Sequence, residues 1–127
     1  TRVLDVVQNG DTTVAILDAS AACHTPDVIE MPYRPPLLGA GEPGEKPALA
    51  VGRTDLPAGD VIGDYSFDAV PAVGDLLVFG DMAIYTTCKN NTFNGMPLPG
   101  IYARKPDGTT RKIVTFGYTD FKCRLGK

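Results

Sequence analysis

Short apolar runs separated by turn signals recur along the whole chain, and they predict β-strands rather than long helices. Residues 3–7 and 14–17 are rich in valine, isoleucine and leucine, and the pair Asn9-Gly10 lies between them. Asn-Gly is typical of a tight hairpin turn, so these two runs predict an antiparallel pair. The segment 100–118 repeats the pattern around a Pro-Asp-Gly turn and predicts a second hairpin.

The remaining apolar stretches also predict strands, at 28–29, 48–52, 76–79 and 82–87. Residues 37–48 and 90–100 are rich in glycine, proline or asparagine and predict exposed loops. Thr119 or Asp120 is expected to cap one short helical turn at the end of the chain. Because no long amphipathic helix is evident, the chain predicts an all-β fold, a barrel or a sandwich, as a single domain over 1–127.

Length and charge exclude several classes of protein. A chain of 127 residues is long enough for one domain. Its net charge of -3 and its scattered lysines and arginines do not suit a nucleic-acid-binding surface. No apolar run approaches the ~20 residues of a membrane span, and no secretory signal is visible. We therefore expect no membrane association and a cytoplasmic location.

The cysteines and the histidine form no recognisable catalytic or metal-binding pattern. Cys23, Cys88 and Cys123 are odd in number and widely spaced, which favours reduced thiols over a disulfide framework. His24 is the only histidine. Neither a histidine-rich metal site nor a serine-histidine-aspartate triad is therefore expected.

The stretch 52–67, GRTDLPAGDVIGDYSF, combines glycines, a proline and aspartates ahead of an aromatic pair. One interpretation is a loop that presents Asp55 and backbone amides to a ligand, with Asp60 fixing its geometry. The other is an irregular connection whose aspartates bond their own backbone. The residue types alone favour the second interpretation.

Three further segments leave similar choices open. Tyr85, in DMAIYTT, is either a packed tyrosine with a local hydrogen bond or a hydroxyl offered to a phosphate or carboxylate. Phe93, in TFNG, is either a turn anchor or the wall of a pocket. The segment 24–35 has two interpretations. It forms either a polar network or a solvated strand edge, and the residues concerned are Asp27, Glu30, Tyr33 and Arg34.

Four segments, taken in order, resemble one family of enzymes. They are DASAACHTPDVIEMPYRP, AGDVIGDYSF, GDLLVFGDMAIYTTCKNNTFNGMPLP and FGYTDFKCRL. Together they resemble the C-terminal domain of the carboxynorspermidine decarboxylases. More broadly they resemble the fold-type III pyridoxal-phosphate decarboxylases, which include the ornithine and diaminopimelate enzymes. The resemblance covers nearly all of the 127 residues.

The resemblance implies a larger enzyme. Family members combine an N-terminal (β/α)8 barrel, which carries the lysine that binds pyridoxal 5'-phosphate, with a C-terminal β-barrel like that of alanine racemase. Their active sites lie at the interface of a head-to-tail homodimer. None of the lysines here matches the cofactor lysine, and we expect them in loops, turns or the terminus: Lys46, Lys89, Lys105, Lys112, Lys122 and Lys127. We therefore expect the isolated chain to be inactive and to need the missing barrel as its partner.

The resemblance also implies roles for individual residues. Tyr85 matches the family tyrosine that hydrogen-bonds the cofactor phosphate. Phe93 and Asn94 match a motif that lies near the cofactor and is expected to contact substrate. Glu30 lies near the position of an acidic group that binds the distal amine of the substrate, and Asp60 adds a carboxylate suited to a polycation.

Asp55 occupies the position at which close relatives have a cysteine. In the family that cysteine reaches across the dimer and is thought to protonate the substrate carbon after CO2 leaves. A carboxyl group at the same place has three open roles. It donates a proton if burial raises its pKa, it binds a substrate ammonium group, or it marks the loss of decarboxylation.

The resemblance therefore implies a lyase of polyamine biosynthesis. Its reaction would convert carboxynorspermidine or carboxyspermidine to norspermidine or spermidine, with release of CO2, and would use pyridoxal phosphate as an electron sink. The alternative is a stand-alone β-barrel module without catalysis, which serves in binding or assembly. The missing cofactor lysine and the aspartate at position 55 favour that alternative for this chain taken alone.

Overall fold

The computed structural model describes residues 1–54 and 60–126, and their strands form two sheets. A four-stranded sheet has the order β1 (Val3–Asn9), β2 (Thr12–Leu17), β3 (Ala48–Thr54) and β4 (Val61–Phe67). A separate hairpin pairs β5 (Ile101–Arg104) with β6 (Thr110–Val114). The expectation of a strand-dominated fold is confirmed, but these strands close no barrel within the described part of the chain.

The described residues also form four short helices: α1 (Ala21–His24), α2 (Asp27–Glu30), α3 (Ala83–Lys89) and, after the last strand, α4 (Tyr118–Arg124). A single 3-10 turn covers Phe93–Gly95. The prediction of a helical turn at the end of the chain is confirmed. Asp120 lies inside that helix and accepts a hydrogen bond from the Gly117 amide at 2.7 Å, so it bonds backward from the first turn.

Three strand predictions require correction. Residues 28–29 lie in α2 and residues 82–87 overlap α3, while 76–79 are extended but form only isolated bridges, at Leu76 and Phe79. Both helices contain apolar or β-branched runs that are too short to show whether the hydrophobic period is that of a strand or that of a helix. Asp81, with a φ of 57°, turns the backbone out of the extended conformation just before α3.

Both predicted hairpins are confirmed. β1 and β2 pair antiparallel around Gly10, which has a φ of 62° and so occupies the left-handed region that Asn-Gly turns require. β5 and β6 pair antiparallel around Gly108, at a φ of 84°. The Asp107 carboxylate stabilises this second turn, because it accepts a hydrogen bond from the Thr109 amide at 2.8 Å.

β2 and β3 pair in parallel, with Val14 opposite Val51 and Leu17 opposite Thr54. A parallel pair cannot be closed by a tight turn and needs a long crossover connection. Residues 18–47 supply that connection, and both α1 and α2 lie within it. The hydrophobic core forms where the sheet meets these helices, from Val3, Ala15, Leu17, Ala21, Val28 and Ile62.

The segment 37–47 is irregular, as its composition predicts, and it is held against β4. Gly41 and Ser66 exchange backbone hydrogen bonds in both directions, at 2.9 and 3.1 Å. The Ser66 hydroxyl, on a fully buried side chain, also donates to the Glu42 carbonyl and accepts from the Lys46 amide. Backbone groups of this loop are therefore paired with the sheet rather than left to water.

Tyr65 of β4 anchors the crossover connection. Its side chain is 3% exposed, its ring packs edge-on against Phe79, and its hydroxyl donates to the Pro35 carbonyl at 2.7 Å. The Arg34 guanidinium lies 5.4 Å from the centre of the same ring. Burial raises the pKa of the Tyr65 hydroxyl, so it remains a donor at every physiological pH.

We predict that Tyr65→Phe lowers the free energy of unfolding by about 1–2 kcal/mol, because the buried Pro35 carbonyl loses its donor. Urea unfolding of the purified protein measures the change. Tyr102→Phe is the matched control, since the Tyr102 side chain is 55% exposed, and it should change stability by less than about 0.5 kcal/mol. Equal effects of the two substitutions would contradict the prediction.

Candidate functional site

Lys89, the last residue of α3, joins that helix to α2. Its ammonium group donates to Asp27 Oδ1 at 2.5 Å and to Glu30 Oε2 at 3.2 Å. Asp27 and Glu30 begin and end the single turn of α2, so their carboxylates face the same cation. One lysine therefore ties two elements that are about 60 residues apart in the chain.

Asp27 is the anchor of this ion-pair cluster. Its side chain is only 5% exposed, whereas that of Glu30 is 58% exposed. A buried carboxylate is costly unless a cation or hydrogen-bond donors compensate it, and Lys89 supplies both. The hydrogen bonds to Asp27, and then to Glu30, raise the pKa of Lys89 above its usual value of 10.5. The amine is therefore protonated at neutral pH.

Tyr85 lies one helical turn before Lys89 on α3. The Lys89 ammonium is 5.8 Å from the centre of the Tyr85 ring, within the range of a cation–π contact. The Tyr85 side chain is 66% exposed. Its hydroxyl makes no hydrogen bond to the described residues. The interpretation of Tyr85 as a packed, locally bonded tyrosine is therefore wrong, and its hydroxyl is available to a ligand.

Tyr33 borders the same cluster. Its hydroxyl donates to the Met82 sulfur at 3.6 Å. Burial raises the pKa of Tyr33, and the nearby carboxylates of Asp27 and Asp81 raise it further. The phenol consequently stays neutral and serves as a hydrogen-bond donor.

The predicted polar network of segment 24–35 is present only in part. Asp27 and Glu30 share Lys89, so the alternative of a solvated strand edge is wrong for them. Arg34 belongs to a different contact: it pairs with Glu42 and donates to the Asp64 carbonyl at 2.9 Å. Arg34 therefore supports the sheet rather than the Lys89 cluster.

Phe93 and Asn94 lie in the 3-10 turn that follows α3, where Asn94 adopts a φ of 53°. Asn91 holds this turn in place. Its side-chain amide donates to the Ala22 carbonyl at 2.8 Å, and its Oδ1 accepts from the Phe93 amide at 3.0 Å. The Cys23 thiol also donates to the Phe93 carbonyl, at 3.6 Å. The turn predicted here is confirmed, and it is attached to the end of α1.

His24 adds a further contact between α1 and the segment after this turn. The Ser20 amide donates to His24 Nδ1 at 3.0 Å, so the ring proton is on Nε2, which donates to the Pro97 carbonyl at 3.0 Å. Both ring nitrogens are therefore used by the backbone. The role of His24 in this fold is to hold the segment around Pro97 in place.

An open cavity of about 740 Å³ lies between the 3-10 turn and α4. Phe93 and Asn94 line it on one side, and Phe121 and Arg124 of α4 line it on the other. Phe93 is 60% exposed, so its ring forms part of the cavity wall rather than of a core. The pocket interpretation of TFNG agrees with this geometry.

Two of the three aspartates in the stretch 52–67 are candidate site residues. Asp60 directly precedes β4 and is partly buried. Asp55, the predicted catalytic residue, lies outside the described residues. The residue that the sequence reasoning overlooked is Lys89. The expectation that the lysines lie in loops, turns or the terminus is wrong for three of them: Lys89 ends α3, Lys112 lies in β6 and Lys122 lies in α4.

Metal-binding clusters are absent from residues 1–54 and 60–126, which contain no group of three histidine, cysteine, aspartate or glutamate side chains that could hold a metal ion. In that same part of the chain, no helix is long and apolar enough to cross a membrane. Cys23, Cys88 and Cys123 are free thiols.

Curated relatives cover almost the whole chain. The carboxyaminopropylagmatine decarboxylase of Synechocystis sp. is 42% identical over 98% of this chain and 32% of its own length. The carboxynorspermidine/carboxyspermidine decarboxylase of Campylobacter jejuni is 37% identical over 96% of this chain and 35% of its own length. The chain thus spans about a third of the length of these relatives. No protein-family model matches it.

Solved structures give the same result. The crystal structure of the Campylobacter jejuni carboxynorspermidine decarboxylase complexed with norspermidine has a TM-score of 0.87 and 34% identity, over 97% of this chain and 36% of that one. A diaminopimelate decarboxylase has a TM-score of 0.76 over 98% of this chain and 32% of that one. At 18% identity, the second likeness shows the shared fold alone.

These matches define the class of protein: the chain has the fold of one part of the decarboxylases to which it is similar, a diaminopimelate decarboxylase among them. Within that class, its sequence is similar over almost its whole length to the corresponding part of the carboxynorspermidine/carboxyspermidine decarboxylases. The family expectation drawn from the sequence motifs is confirmed.

The Lys89 cluster generates a pH prediction. The pKa of Lys89 is raised in the folded state above 10.5, so the stabilisation from its ion pairs is complete below that pH and is lost as the pH rises through the folded value. We predict that the difference in melting temperature between wild type and Asp27→Asn is constant from about pH 6 to about pH 9 and shrinks above pH 10.5.

Thermal unfolding followed by circular dichroism across this range measures the difference. Asp107→Asn is the control, because Asp107 accepts only from Thr109 among the described residues and its effect should not vary over the same pH range. A difference between wild type and Asp27→Asn that stays constant through the most alkaline samples would contradict the raised pKa of Lys89.

Proposed function

We propose that this chain is the C-terminal domain of a pyridoxal-phosphate-dependent decarboxylase of polyamine biosynthesis. The complete enzyme converts carboxynorspermidine or carboxyspermidine to norspermidine or spermidine and releases CO2. The observation that carries the proposal is the similarity to the Campylobacter jejuni enzyme, at a TM-score of 0.87 over 97% of this chain. The remaining two thirds of the protein would include the (β/α)8 barrel.

The cofactor supplies an electron sink for the loss of CO2. This chain has a candidate ligand for the cofactor phosphate but no candidate lysine for covalent attachment among its described residues. Covalent attachment requires a lysine whose amine can lose its proton. Lys46 and Lys89 are held by carboxylates, and the other described lysines, Lys105, Lys112 and Lys122, are exposed. These described lysines support the proposal that the attachment lysine belongs to the other domain, as the family resemblance implies.

Tyr85 fits the role of a phosphate ligand. Its side chain is exposed, its hydroxyl makes no hydrogen bond to the described residues, and the Lys89 ammonium lies over its ring. A phenol hydroxyl donates readily to a phosphate oxygen, and a nearby cation strengthens the attraction for an anion. In the proposed enzyme, Tyr85 binds and orients the cofactor phosphate.

Glu30 fits the role of a substrate-amine ligand. One of its oxygens accepts from Lys89, and because the side chain is 58% exposed, the carboxylate can still accept from an external ammonium group. Phe93 and Asn94 line the cavity beside α4, and Asp60 is a partly buried carboxylate at the start of β4. We assign these four residues to substrate binding.

The proposal includes a homodimer in the cytoplasm. Asp55 would reach the active site of the partner subunit, where it protonates the substrate carbon or binds a substrate ammonium group. A carboxyl group performs the first role only where its surroundings hold it protonated. The family resemblance implies a cysteine at this position, so Asp55 is the departure that bears most directly on the proposed reaction.

A second substrate is suggested by the relative from Synechocystis, which is 42% identical and carries the name carboxyaminopropylagmatine decarboxylase. Such a substrate ends in a guanidinium group instead of an ammonium group. An exposed carboxylate such as Glu30 binds either cation, and binds guanidinium through two parallel hydrogen bonds. The assay below therefore includes all three carboxylated amines.

We predict that the full-length protein with pyridoxal phosphate releases CO2 from at least one of carboxynorspermidine, carboxyspermidine and carboxyaminopropylagmatine. Diaminopimelate serves as the control substrate and should be turned over at least ~100-fold more slowly, because its distal end carries a carboxylate beside the ammonium group. Chain 1–127 alone should release no CO2 and keep no cofactor absorption after dialysis. Absence of turnover by the full-length protein would favour the non-catalytic module.

We also predict that Asp55→Cys in the full-length enzyme changes kcat by about tenfold or more, or alters the product distribution, because it replaces the proton donor. Asp107→Cys, in the β5–β6 turn, is the matched control and should leave both unchanged. Rates, products and pH profile are measured by chromatography of the amines. Identical kinetics of wild type and Asp55→Cys would remove Asp55 from the proposed site.

A further inference from the structure

We propose that Lys89 is a positioning residue that couples the cofactor-phosphate tyrosine to the substrate-binding carboxylate. The inference rests on the proposed function, because that function assigns the two roles to Tyr85 and Glu30. Its basis is a single ammonium group that contacts Asp27, Glu30 and the Tyr85 ring together.

The buried carboxylate fixes where this ammonium group lies. Asp27 is 3% exposed, and its bond to Lys89, at 2.5 Å, is the shorter of the two ion pairs. A cation held by a buried carboxylate loses the freedom that exposed lysines keep. The position of the Lys89 ammonium group is therefore fixed, and exposed side chains that contact it are oriented by it.

Glu30 and Tyr85 are such exposed groups. The Asp27 contact alone would hold α2 to α3, so a purely structural lysine needs no second carboxylate. An ion pair with a carboxylate that is 58% exposed adds little stability. What the second contact does achieve is to restrict the rotamers of the Glu30 side chain, and the contact over the ring does the same for Tyr85.

The charges of the cluster support the same reading. Two carboxylates and one ammonium leave one net negative charge, located on the exposed Glu30 side. One amine of a substrate would be matched by that charge. The same ammonium group also contacts the Tyr85 ring. Lys89 thus links the proposed phosphate-binding residue of α3 to the proposed amine-binding residue of α2.

The test uses the full-length enzyme and three substitutions. Lys89→Met removes the charge and keeps the length of the side chain, Lys89→Arg keeps the charge, and Lys112→Met is a control on the exposed face of β6. The two readouts are the Kd of the apoenzyme for pyridoxal phosphate, from absorbance titration, and KM for the preferred carboxylated amine. If Lys89→Met does not fold, Lys89→Gln replaces it, because its amide still donates to Asp27.

We expect Lys89→Met to raise both Kd and KM by about tenfold, with kcat changed by less than about threefold. Lys89→Arg should restore both to within about threefold, and Lys112→Met should change neither. A fall in melting temperature with unchanged Kd and KM would overturn the inference, because it would leave Lys89 with a structural role alone.

Double-mutant cycles test whether Lys89 acts through Tyr85 and Glu30 or independently of them. If Lys89 acts through Tyr85, Lys89→Met should not raise the cofactor Kd further in a Tyr85→Phe background. If it acts through Glu30, it should not raise KM further in a Glu30→Gln background. Additive effects in both backgrounds would overturn the coupling. An enzyme that binds the cofactor but turns over none of the carboxylated amines would refute the proposed function, while the Kd cycle would still decide the link between Lys89 and Tyr85.

Discussion

The parallel pairing of β2 with β3 is the constraint from which the rest of the structure follows. Two parallel neighbours cannot be joined by a tight turn, so residues 18–47 must leave the sheet and return to it. That connection folds into α1, α2 and a segment pinned to β4 by Tyr65 and Ser66. The place of Glu30 is thus set by the topology of the sheet, because α2 packs Val28 into the core from within the crossover.

The second half of the chain depends on that crossover through polar contacts. Lys89 binds Asp27, Asn91 binds the Ala22 carbonyl, and His24 binds the Pro97 carbonyl. Within the described residues, no side chain of α3, β5, β6 or α4 is buried. This half therefore has almost no apolar core of its own. Its exposed aromatic and aliphatic groups are what a domain buries against a larger partner, in keeping with a chain that spans a third of its relatives.

The elements that the sequence predicted correctly are those that local chemistry determines. Asn9-Gly10 and Gly108 define their hairpins within a few residues, whatever the surroundings. The strands predicted at 28–29 and 82–87 are wrong because such short apolar runs carry no clear period, and tertiary contacts made them helical. Tyr85 and Glu30 were candidates only through the family resemblance. Lys89 escaped notice because its partners lie about 60 residues away, and no local pattern reports such a contact.

The charge state of Lys89 explains why it suits the orientation of other groups rather than covalent attachment of a cofactor. A lysine that attaches a cofactor must be able to lose its proton, which burial away from anions favours. Asp27 and Glu30 do the opposite and hold Lys89 as a cation. In the proposed enzyme, the binding of charged groups and the covalent attachment of the cofactor are therefore assigned to different lysines. A domain rich in fixed charges and an exposed hydroxyl suits the binding and orientation of charged groups, whereas the proposal assigns the covalent step to a lysine of a separate barrel. The two tasks make incompatible demands on the charge of a lysine, and this incompatibility is a physical reason for the proposed enzyme to build its active site from two domains.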